Sequence, residues 1–253
     1  MSEILLEARA VAKHFGGVKA LQDVSLSIRQ GEVYGLIGPN GAGKTTFFNC
    51  MTGLYVPDGG GFTFAGAPLQ ADAPQRAAER GIARTFQNIR LFGNMTALEN
   101  VMVGRHVRTR ASVFGAIFRD PKTRAEEAAI RQRALDLLHY VDIADRADDL
   151  AKNLSYGDQR RLEIARALAT EPKLLCLDEP AAGMNATETE ELRLLIEGIR
   201  KDGTTVLLIE HDVKLVMGLC DRVAVLEYGA LLIEDVPAVV QKDQRVIEAY
   251  LGA

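Results

Sequence analysis

A glycine-rich run between an apolar strand and a helix carries the first recognisable chemistry in this sequence. The run from Gly38 to Lys44 (GPNGAGK), followed by Thr45 and Thr46, fits the pattern G-x-x-x-x-G-K-[ST] in full. Glycines let the backbone turn so that its N–H groups point inward around phosphate oxygens. Lys44 supplies an ammonium for the β- and γ-phosphates, and Thr45 a hydroxyl ligand for Mg²⁺. The predicted phosphate-binding residues are Gly38, Pro39, Asn40, Gly41, Ala42, Gly43, Lys44, Thr45 and Thr46.

Two carboxylates end a second apolar run, LLCLDEP, at Asp178 and Glu179. At the carboxyl edge of a strand, Asp178 is expected beside the phosphate loop, where it holds Mg²⁺ through water. Glu179 is the candidate general base that polarises the attacking water. A strand that simply ends in a solvated acidic turn is the alternative, and the complete phosphate loop weakens it. The acid pair favours ATP hydrolysis over kinase chemistry, which also needs an acceptor site.

A third candidate is the start of an amphipathic helix at LSYGDQRRLEIARAL. Ser155 suits a helix N-cap, and Gly157 permits close approach of the backbone, so this is another potential anion site. An ordinary capped helix is the alternative interpretation. Because a second anion-binding helix start fits poorly into one phosphate site, the pattern indicates a second chain.

Composition limits the class of protein that positions these residues. The chain has 253 residues, of which 47% are hydrophobic and 25% charged, which excludes disordered, collagen-like and coiled-coil classes. Its net charge of −4 argues against wholesale nucleic-acid wrapping. Apolar runs stay far below the roughly 18 residues that span a bilayer, and the N-terminus lacks a basic signal-peptide region. Cys50, Cys176 and Cys220 are odd in number and far apart, which indicates buried thiols in a reducing compartment.

Hydrophobic patterning predicts a largely parallel sheet with helices outside it, because runs of Val, Ile and Leu lack polar alternation. Strands are expected at Leu5–Val11, Leu21–Ile28, Glu32–Ile37, Leu174–Asp178, Thr204–Glu210, Arg222–Leu226 and Ala230–Glu234. Helices are expected at Thr45–Leu54, Thr187–Arg200 and Val213–Cys220, and in the middle of the chain at Ala97–Val103, Lys122–Val141 and Gln159–Ala169. Residues 95–170 show no strand pattern. They are therefore expected to form a helical subdomain inserted into an α/β catalytic core of residues 1–94 and 171–253.

Together these segments resemble the nucleotide-binding subunit of ATP-binding cassette (ABC) transporters, and LSYGDQ at residues 154–159 is similar to the family's LSGGQ signature. The resemblance implies one α/β domain over residues 1–253. Its fold would be a P-loop NTPase core of ABC-cassette type with an inserted helical subdomain and an N-terminal antiparallel β region. ATP and Mg²⁺ are the implied ligands. Two cassettes would pair head to tail, with the signature of one chain facing the phosphates bound by the other.

The resemblance also implies roles for residues that mean little alone. Phe15 matches the aromatic residue that stacks on adenine, Gln87 the glutamine that contacts Mg²⁺ and the membrane partner, and His211 the switch histidine. The implied catalytic residues are Glu179, His211 and Gln87, the metal ligands Thr45, Gln87 and Asp178, and the signature contacts Ser155, Gly157 and Gln159. Three positions depart from the family pattern without an assigned role: Tyr156, Asp158 and Asn185.

Several stretches, among them RTFQNIRLF and LDEPAAGMN, resemble the ATP-binding subunits of branched-chain amino acid importers more specifically. This implies ATP hydrolysis coupled to uptake of branched-chain or related hydrophobic amino acids, on the cytoplasmic face of the cell membrane. The implied partners are a second ABC ATPase subunit (identical or different), integral-membrane permease subunits and, indirectly, an extracytoplasmic solute-binding protein, with no nucleic acid. A soluble ABC-type ATPase acting in cofactor assembly or on nucleic acid is the alternative.

A basic segment, Gly104–Arg124, stands out within the predicted helical region. Its basic residues are Arg105, Arg108, Arg110, Arg119, Lys122 and Arg124, against the single acid Asp120. Two interpretations stay open: a surface near anionic headgroups or membrane subunits, or a solvated basic loop.

Overall fold

The computed structural model describes residues 3–70, 72–105 and 121–251, with the side chains of residues 121–124 and 251 left aside. The chain divides into two compact units. The first unit comprises Met1–Arg84 and Lys173–Ala253, and the second comprises Thr85–Pro172. The assignment of residues 1–94 and 171–253 to catalysis stays a prediction.

An antiparallel sheet forms the N-terminal part of the first unit. It contains β1 (Ile4–Phe15), β2 (Val18–Arg29), β4 (Gly59–Phe64) and β5 (Ala67–Pro68) in the order β2-β1-β4-β5. Leu6, Ala8 and Val11 of β1 are buried, while their neighbours are more exposed, as expected for a sheet with one face toward the core. The predicted N-terminal antiparallel β region is therefore confirmed.

A second sheet carries the carboxyl edge on which the site depends. Its strands are β3 (Val33–Ile37), β6 (Ile82–Arg84), β7 (Leu174–Asp178), β8 (Thr205–Ile209), β9 (Arg222–Glu227) and β10 (Ala230–Asp235), in the order β10-β9-β3-β8-β7-β6. The pairs are parallel except that of β9 with β10. Every residue of β3, β7 and β8 is buried, as their unbroken apolar runs predict. The carboxyl ends of these strands meet at one edge.

Helices of the first unit cover these sheets. They are α1 (Lys44–Met51), α2 (Pro74–Glu79) and, later in the chain, α6 (Ala186–Lys201), α7 (Val213–Leu219), α8 (Pro237–Val240) and α9 (Gln244–Leu251). Phe47, Phe48 and Met51 of α1 join one core cluster with Leu36 of β3 and Phe62 of β4. Burial of each such side chain stabilises the fold by about 1.5–3 kcal/mol. The helix that follows the phosphate loop is thus fixed by residues of both sheets.

The second unit is helical in the part that the structure describes. It contains α3 (Ala97–Arg105), α4 (Pro121–Tyr140) and α5 (Tyr156–Leu168), with 3₁₀ turns at Ala144–Arg146 and Ala151–Asn153. The helix expected at Gln159 begins three residues earlier because Ser155 caps it. Within residues 3–70, 72–105 and 121–251, no helix is long and apolar enough to cross a membrane.

We predict that Ile196→Ala lowers the free energy of unfolding by about 2–5 kcal/mol, because the Ile196 side chain is fully buried under α6 and its loss leaves a cavity. Leu194→Ala on the same helix is the matched control: Leu194 is 53% exposed, so its change should stay within about 0.5 kcal/mol. Urea denaturation followed by circular dichroism measures both. Equal effects would contradict the packing of α6.

Candidate nucleotide site

The phosphate loop, residues 38–46, depends on two glycines that no other residue replaces without strain. Gly38 has φ 149°, and a Cβ there would lie 2.1 Å from the carbonyl oxygen of Leu226. Gly43 has φ 102°, and its Cβ would lie 2.6 Å from the carbonyl oxygen of Ala20. The loop therefore packs directly on neighbouring backbone, and its own backbone surrounds the space that the sequence pattern assigns to phosphates.

Lys44 is the central charge of the site. Its side chain is buried, and Nζ donates hydrogen bonds to the carbonyl oxygens of Gly38 at 2.5 Å and Pro39 at 3.0 Å. Burial lowers the pKa of Lys44, whereas the nearby carboxylates of Glu179 and Asp178 raise it. The structure thus brings together the predicted phosphate-binding lysine and both predicted acids.

Glu179 and His211 face each other across neighbouring strand ends. The Glu179 backbone N–H donates to the carbonyl oxygen of Ile209 at 2.8 Å, and its φ of 49° is unusual for a residue with a side chain. In this conformation, Oε1 of Glu179 lies 2.6 Å from Nε2 of His211. Local strain of this kind recurs where a side chain must be aimed at a reacting group.

Glu210 was not assigned a role by the sequence analysis. Its buried carboxylate accepts the backbone N–H of Ala181 at 2.7 Å and that of His211 at 3.0 Å. Burial raises the pKa of Glu210, and these backbone hydrogen bonds lower it. One carboxylate therefore fixes the backbones that follow β7 and β8. The available signal was a carboxylate at the end of an apolar strand, directly before a histidine.

The donors available for Mg²⁺ fit that ion by their chemistry. Thr45 is exposed in the first turn of α1, and Asp178 ends β7 with a side chain that is almost fully buried. Hydroxyl and carboxylate oxygens are the ligands that this hard cation prefers. Asp178 is the last residue of β7, and Thr45 lies in the helix that follows β3, so both belong to the carboxyl edge of the parallel sheet.

Phe15 ends β1 with an exposed aromatic ring. The ring makes an edge contact with Tyr55, with centroids 5.3 Å apart and an interplanar angle of 73°, and Nζ of Lys13 lies 5.5 Å from its centroid. An exposed ring supported at its edge offers a flat face for stacking on a base.

A cavity of 760 Å³ opens beside the phosphate loop, and its lining includes Asn40, Gly41, His211 and Tyr250. Its size lies within the range of small-molecule pockets. Tyr250 belongs to α9, so the C-terminal helix contributes to the wall of a cavity that also contains the predicted switch histidine.

In the second unit, α5 holds the backbone around Gln87. The buried Arg160 donates through Nη1 to the carbonyl oxygen of Phe86 at 2.6 Å and through Nη2 to that of Gln87. Glu163, one turn further along, pairs with Arg160 at 3.1 Å and accepts the N–H of Phe86 at 3.3 Å. Both side chains of the pair are 1% exposed. The exposed Gln87 side chain therefore sits on a backbone that a buried ion pair fixes.

The signature helix start explains two of the departures from the family pattern. Ser155 caps α5: its Oγ accepts the backbone N–H of Asp158 at 3.1 Å and donates to Oδ2 of Asp158 at 2.7 Å. The Tyr156 hydroxyl accepts Nη2 of Arg160 at 3.1 Å. Gln159 turns its amide N–H toward the carbonyl oxygen of Leu154 at 3.0 Å.

The third departure, Asn185, forms a capping box at the start of α6. Its Oδ1 accepts the N–H groups of Thr187 and Glu188 at 2.9 and 3.0 Å, and its own N–H donates to the Glu188 carboxylate. The asparagine thus stabilises the helix that follows the acid pair.

The basic segment Gly104–Arg124 lies mostly outside the described residues. Among those described, Arg105 pairs with Glu171 at 2.6 Å.

A phosphate loop before a helix, with Lys44 near an acid pair at the end of a parallel strand, defines a P-loop nucleotide-binding ATPase. The family model described as ABC transporter matches residues 21–182. The chain belongs to this ABC family, whose members bind ATP.

Known proteins resemble this chain over all or most of its length. It is 46% identical to the high-affinity branched-chain amino acid transport ATP-binding protein LivG of Salmonella typhimurium, over 100% of this chain and 99% of that protein. A solved ATP-binding cassette of an ABC transporter in its ADP conformation is 31% identical, with a TM-score of 0.87 and full coverage of both chains. A dimeric bacterial ABC transporter cassette is 27% identical, with a TM-score of 0.79, over 92% of this chain and 99% of that one. The predicted fold class is confirmed.

We predict that Arg160→Ala lowers the free energy of unfolding by about 3–5 kcal/mol, because it removes the guanidinium that pairs with the buried Glu163 carboxylate at 3.1 Å. Arg193→Ala is the control: its partners on α6 are more exposed, so we expect a loss below about 1 kcal/mol. Urea titration measures both changes. In parallel, hydrogen exchange should become faster at the Phe86 amide only in Arg160→Ala; unchanged exchange would contradict the proposed hold on this backbone.

Proposed function

We propose that this chain is the ATP-hydrolysing subunit of an ABC importer for branched-chain or related hydrophobic amino acids. The observation that carries the hydrolytic part is the 2.6 Å contact between Glu179 Oε1 and His211 Nε2, beside the buried Lys44. The substrate class is supported by the 46% identity to LivG over the whole chain. The alternative of a soluble ATPase in cofactor assembly or on nucleic acid is not favoured, because that full-length similarity is to a transport protein.

In this proposal, Glu179 accepts a proton from the water that attacks the γ-phosphate, and the residues around it set its geometry. His211 holds the carboxylate in place through Nε2, and Glu210 fixes the backbone of His211. Lys44 and the loop N–H groups bind the phosphate oxygens whose charge changes during transfer. Phe15 stacks on the adenine base.

Thr45, Asp178 and Gln87 would hold Mg²⁺. When bound, this ion supplies positive charge that neutralises the phosphate oxygens. Thr45 is supported by its position in the helix that follows β3, and Asp178 by its position as the last residue of β7.

A second cassette completes the site. Ser155, Gly157 and Gln159 of the partner chain would face the phosphates bound by the first, so that ATP links the two chains and hydrolysis removes the link. The dimeric state of a solved relative supports this arrangement. Gln87 would pass the change to integral-membrane permease subunits, on the cytoplasmic face of the membrane. A solute-binding protein would supply the amino acid outside.

We predict that Glu179→Gln lowers kcat for ATP hydrolysis at least about 100-fold while ATP affinity changes little, because the amide cannot accept the water's proton. Phosphate release and the binding of a fluorescent ATP analogue measure the two quantities. Glu190→Gln, which changes an exposed carboxylate on α6, should leave both unchanged. Rapid hydrolysis by Glu179→Gln would remove Glu179 from the base role.

We further predict that Ser155→Ala weakens ATP-dependent association of two cassettes more than ATP binding to one. The test uses light scattering on the Glu179→Gln background, with a sister ATPase added if the chain does not pair with itself. Because Ser155 also caps α5, Ser155→Gly is the necessary second variant: glycine at an N-cap costs only a few tenths of a kcal/mol. Equal losses of association and of ATP binding would count against a role across the interface.

A further inference from the structure

Arg84, which the sequence pattern did not mark as a site residue, lies beside the candidate nucleotide site. It is the last residue of β6 and of the N-terminal segment of the first unit, and its side chain is 10% exposed. Nη1 donates to Oδ1 of Asn49 at 2.6 Å and to Oγ1 of Thr52 at 3.2 Å, and Nη2 donates to Oδ2 of Asp178 at 3.1 Å. One guanidinium thus connects the helix after the phosphate loop with the end of β7.

The flat face of the Arg84 guanidinium also packs on an aromatic ring. Its Cζ lies 4.4 Å from the ring centroid of Phe48, a core residue of α1 that is fully buried. A planar fork that stacks on an aromatic ring and donates in two directions has little freedom to reorient. Lysine carries the same charge but cannot make these contacts together.

Arg84 is a hydrogen-bonded cationic partner of Asp178. The Asp178 side chain is 5% exposed, and a buried carboxylate is unfavourable without a counter-charge and hydrogen bonds. Because Arg84 engages Oδ2, it also sets the direction in which Oδ1 points. Asp178 is the residue that the proposed function places at the Mg²⁺ site.

The hydrogen bond from Arg84 to Asn49 connects Arg84 to the helix that carries Thr45, the second proposed Mg²⁺ ligand. Asn49 and Thr45 are four residues apart on α1, so they lie on the same face of that helix. A hydrogen bond from Arg84 to Asn49 therefore ties the Asp178 carboxylate to the face of α1 that carries Thr45. The Asp178 carboxylate and the helix that carries the Thr45 hydroxyl are therefore connected through one side chain, that of Arg84.

We propose that Arg84 is a positioning residue for the divalent cation: it orients the Asp178 carboxylate relative to Thr45 without touching the ion. This inference rests on the proposed function. Residues that orient metal ligands in this way typically change metal affinity about 10–100-fold when they are replaced. The expected signature is a loss of cation affinity that is separate from the affinity for the nucleotide.

The test compares Arg84→Ala with wild type, using Mn²⁺ as the spectroscopic probe. Binding of a fluorescent ATP analogue is measured in EDTA, and Mn²⁺ binding to the ATP complex by electron paramagnetic resonance. We expect a change below about twofold in EDTA and a rise in the Kd for Mn²⁺ of about tenfold or more. The Mg²⁺ concentration for half-maximal hydrolysis should rise in parallel, with Arg84→Lys intermediate.

Arg80→Ala is the matched control. Arg80 lies four residues earlier and donates to the backbone carbonyls of Pro68, Phe64 and Ala67, so its loss removes structural hydrogen bonds only. Its variant should keep the wild-type affinity for Mn²⁺. Melting temperatures of all variants show how far stability contributes.

An unchanged Kd for Mn²⁺ in Arg84→Ala, or an equal loss of nucleotide affinity in EDTA, would overturn the proposal. Should Arg84→Ala fail to fold, Asn49→Ala and Arg84→Lys decide, since both keep a positive charge beside Asp178; wild-type affinity for Mn²⁺ in both would overturn it as well. If wild type itself shows no Mg²⁺-dependent hydrolysis, the proposed function fails instead.

Discussion

The buried ammonium group of Lys44 is the constraint on which the arrangement of the first unit depends. Removing this charge from water is costly, and the loop carbonyls together with Asp178 and Glu179 compensate for that cost. The compensation requires the ends of β3 and β7 to meet at one edge. A parallel sheet with β8 between them provides that edge. The same edge then presents the positive charge and the acids to one substrate, which is what phosphoryl transfer to water needs.

Two other charged groups in the described part of the chain, one half-buried and one fully buried, are likewise surrounded by partners. Arg222 donates to Glu234 and to the backbone of Ser27, and its guanidinium lies 5.4 Å from the Tyr34 ring centroid, so it connects both sheets of the first unit. Arg160 and Glu163 lie within one turn of α5 but hold a loop more than 70 residues away, as the separations of 73 and 74 show. Such pairs add little net stability over apolar packing. Their value here is geometric: Arg222 links the two sheets, and Arg160 with Glu163 fixes the backbone around Gln87.

Segments with a motif or a periodic apolar pattern were predictable from the sequence, whereas short elements were not. The phosphate loop and the strand Leu174–Asp178 were found because composition and spacing are strong there. Strand β6 has three residues, too few for any alternation, and β4 opens with three glycines, which predict turns. Arg84 could not be assigned to a strand for that reason, because β6 is only three residues long and RTFQ shows no strand pattern. Its partners Asn49 and Asp178 are far away in sequence, so no local pattern predicts these contacts.

Two side-chain contacts at the start of α5 could nevertheless have been predicted from helical spacing. Ser155 and Asp158 are three residues apart, and Tyr156 and Arg160 four, the separations at which side chains on a helix meet. The side chains of Tyr156 and Asp158 therefore make contacts within the start of α5. Around Gln87 the contacts change over a single residue: Arg84 is bonded within the first unit, whereas Phe86 and Gln87 are bonded to α5. Thr85 alone separates, along the chain, the residue that orients Asp178 from the residues whose backbone carbonyls accept hydrogen bonds from Arg160.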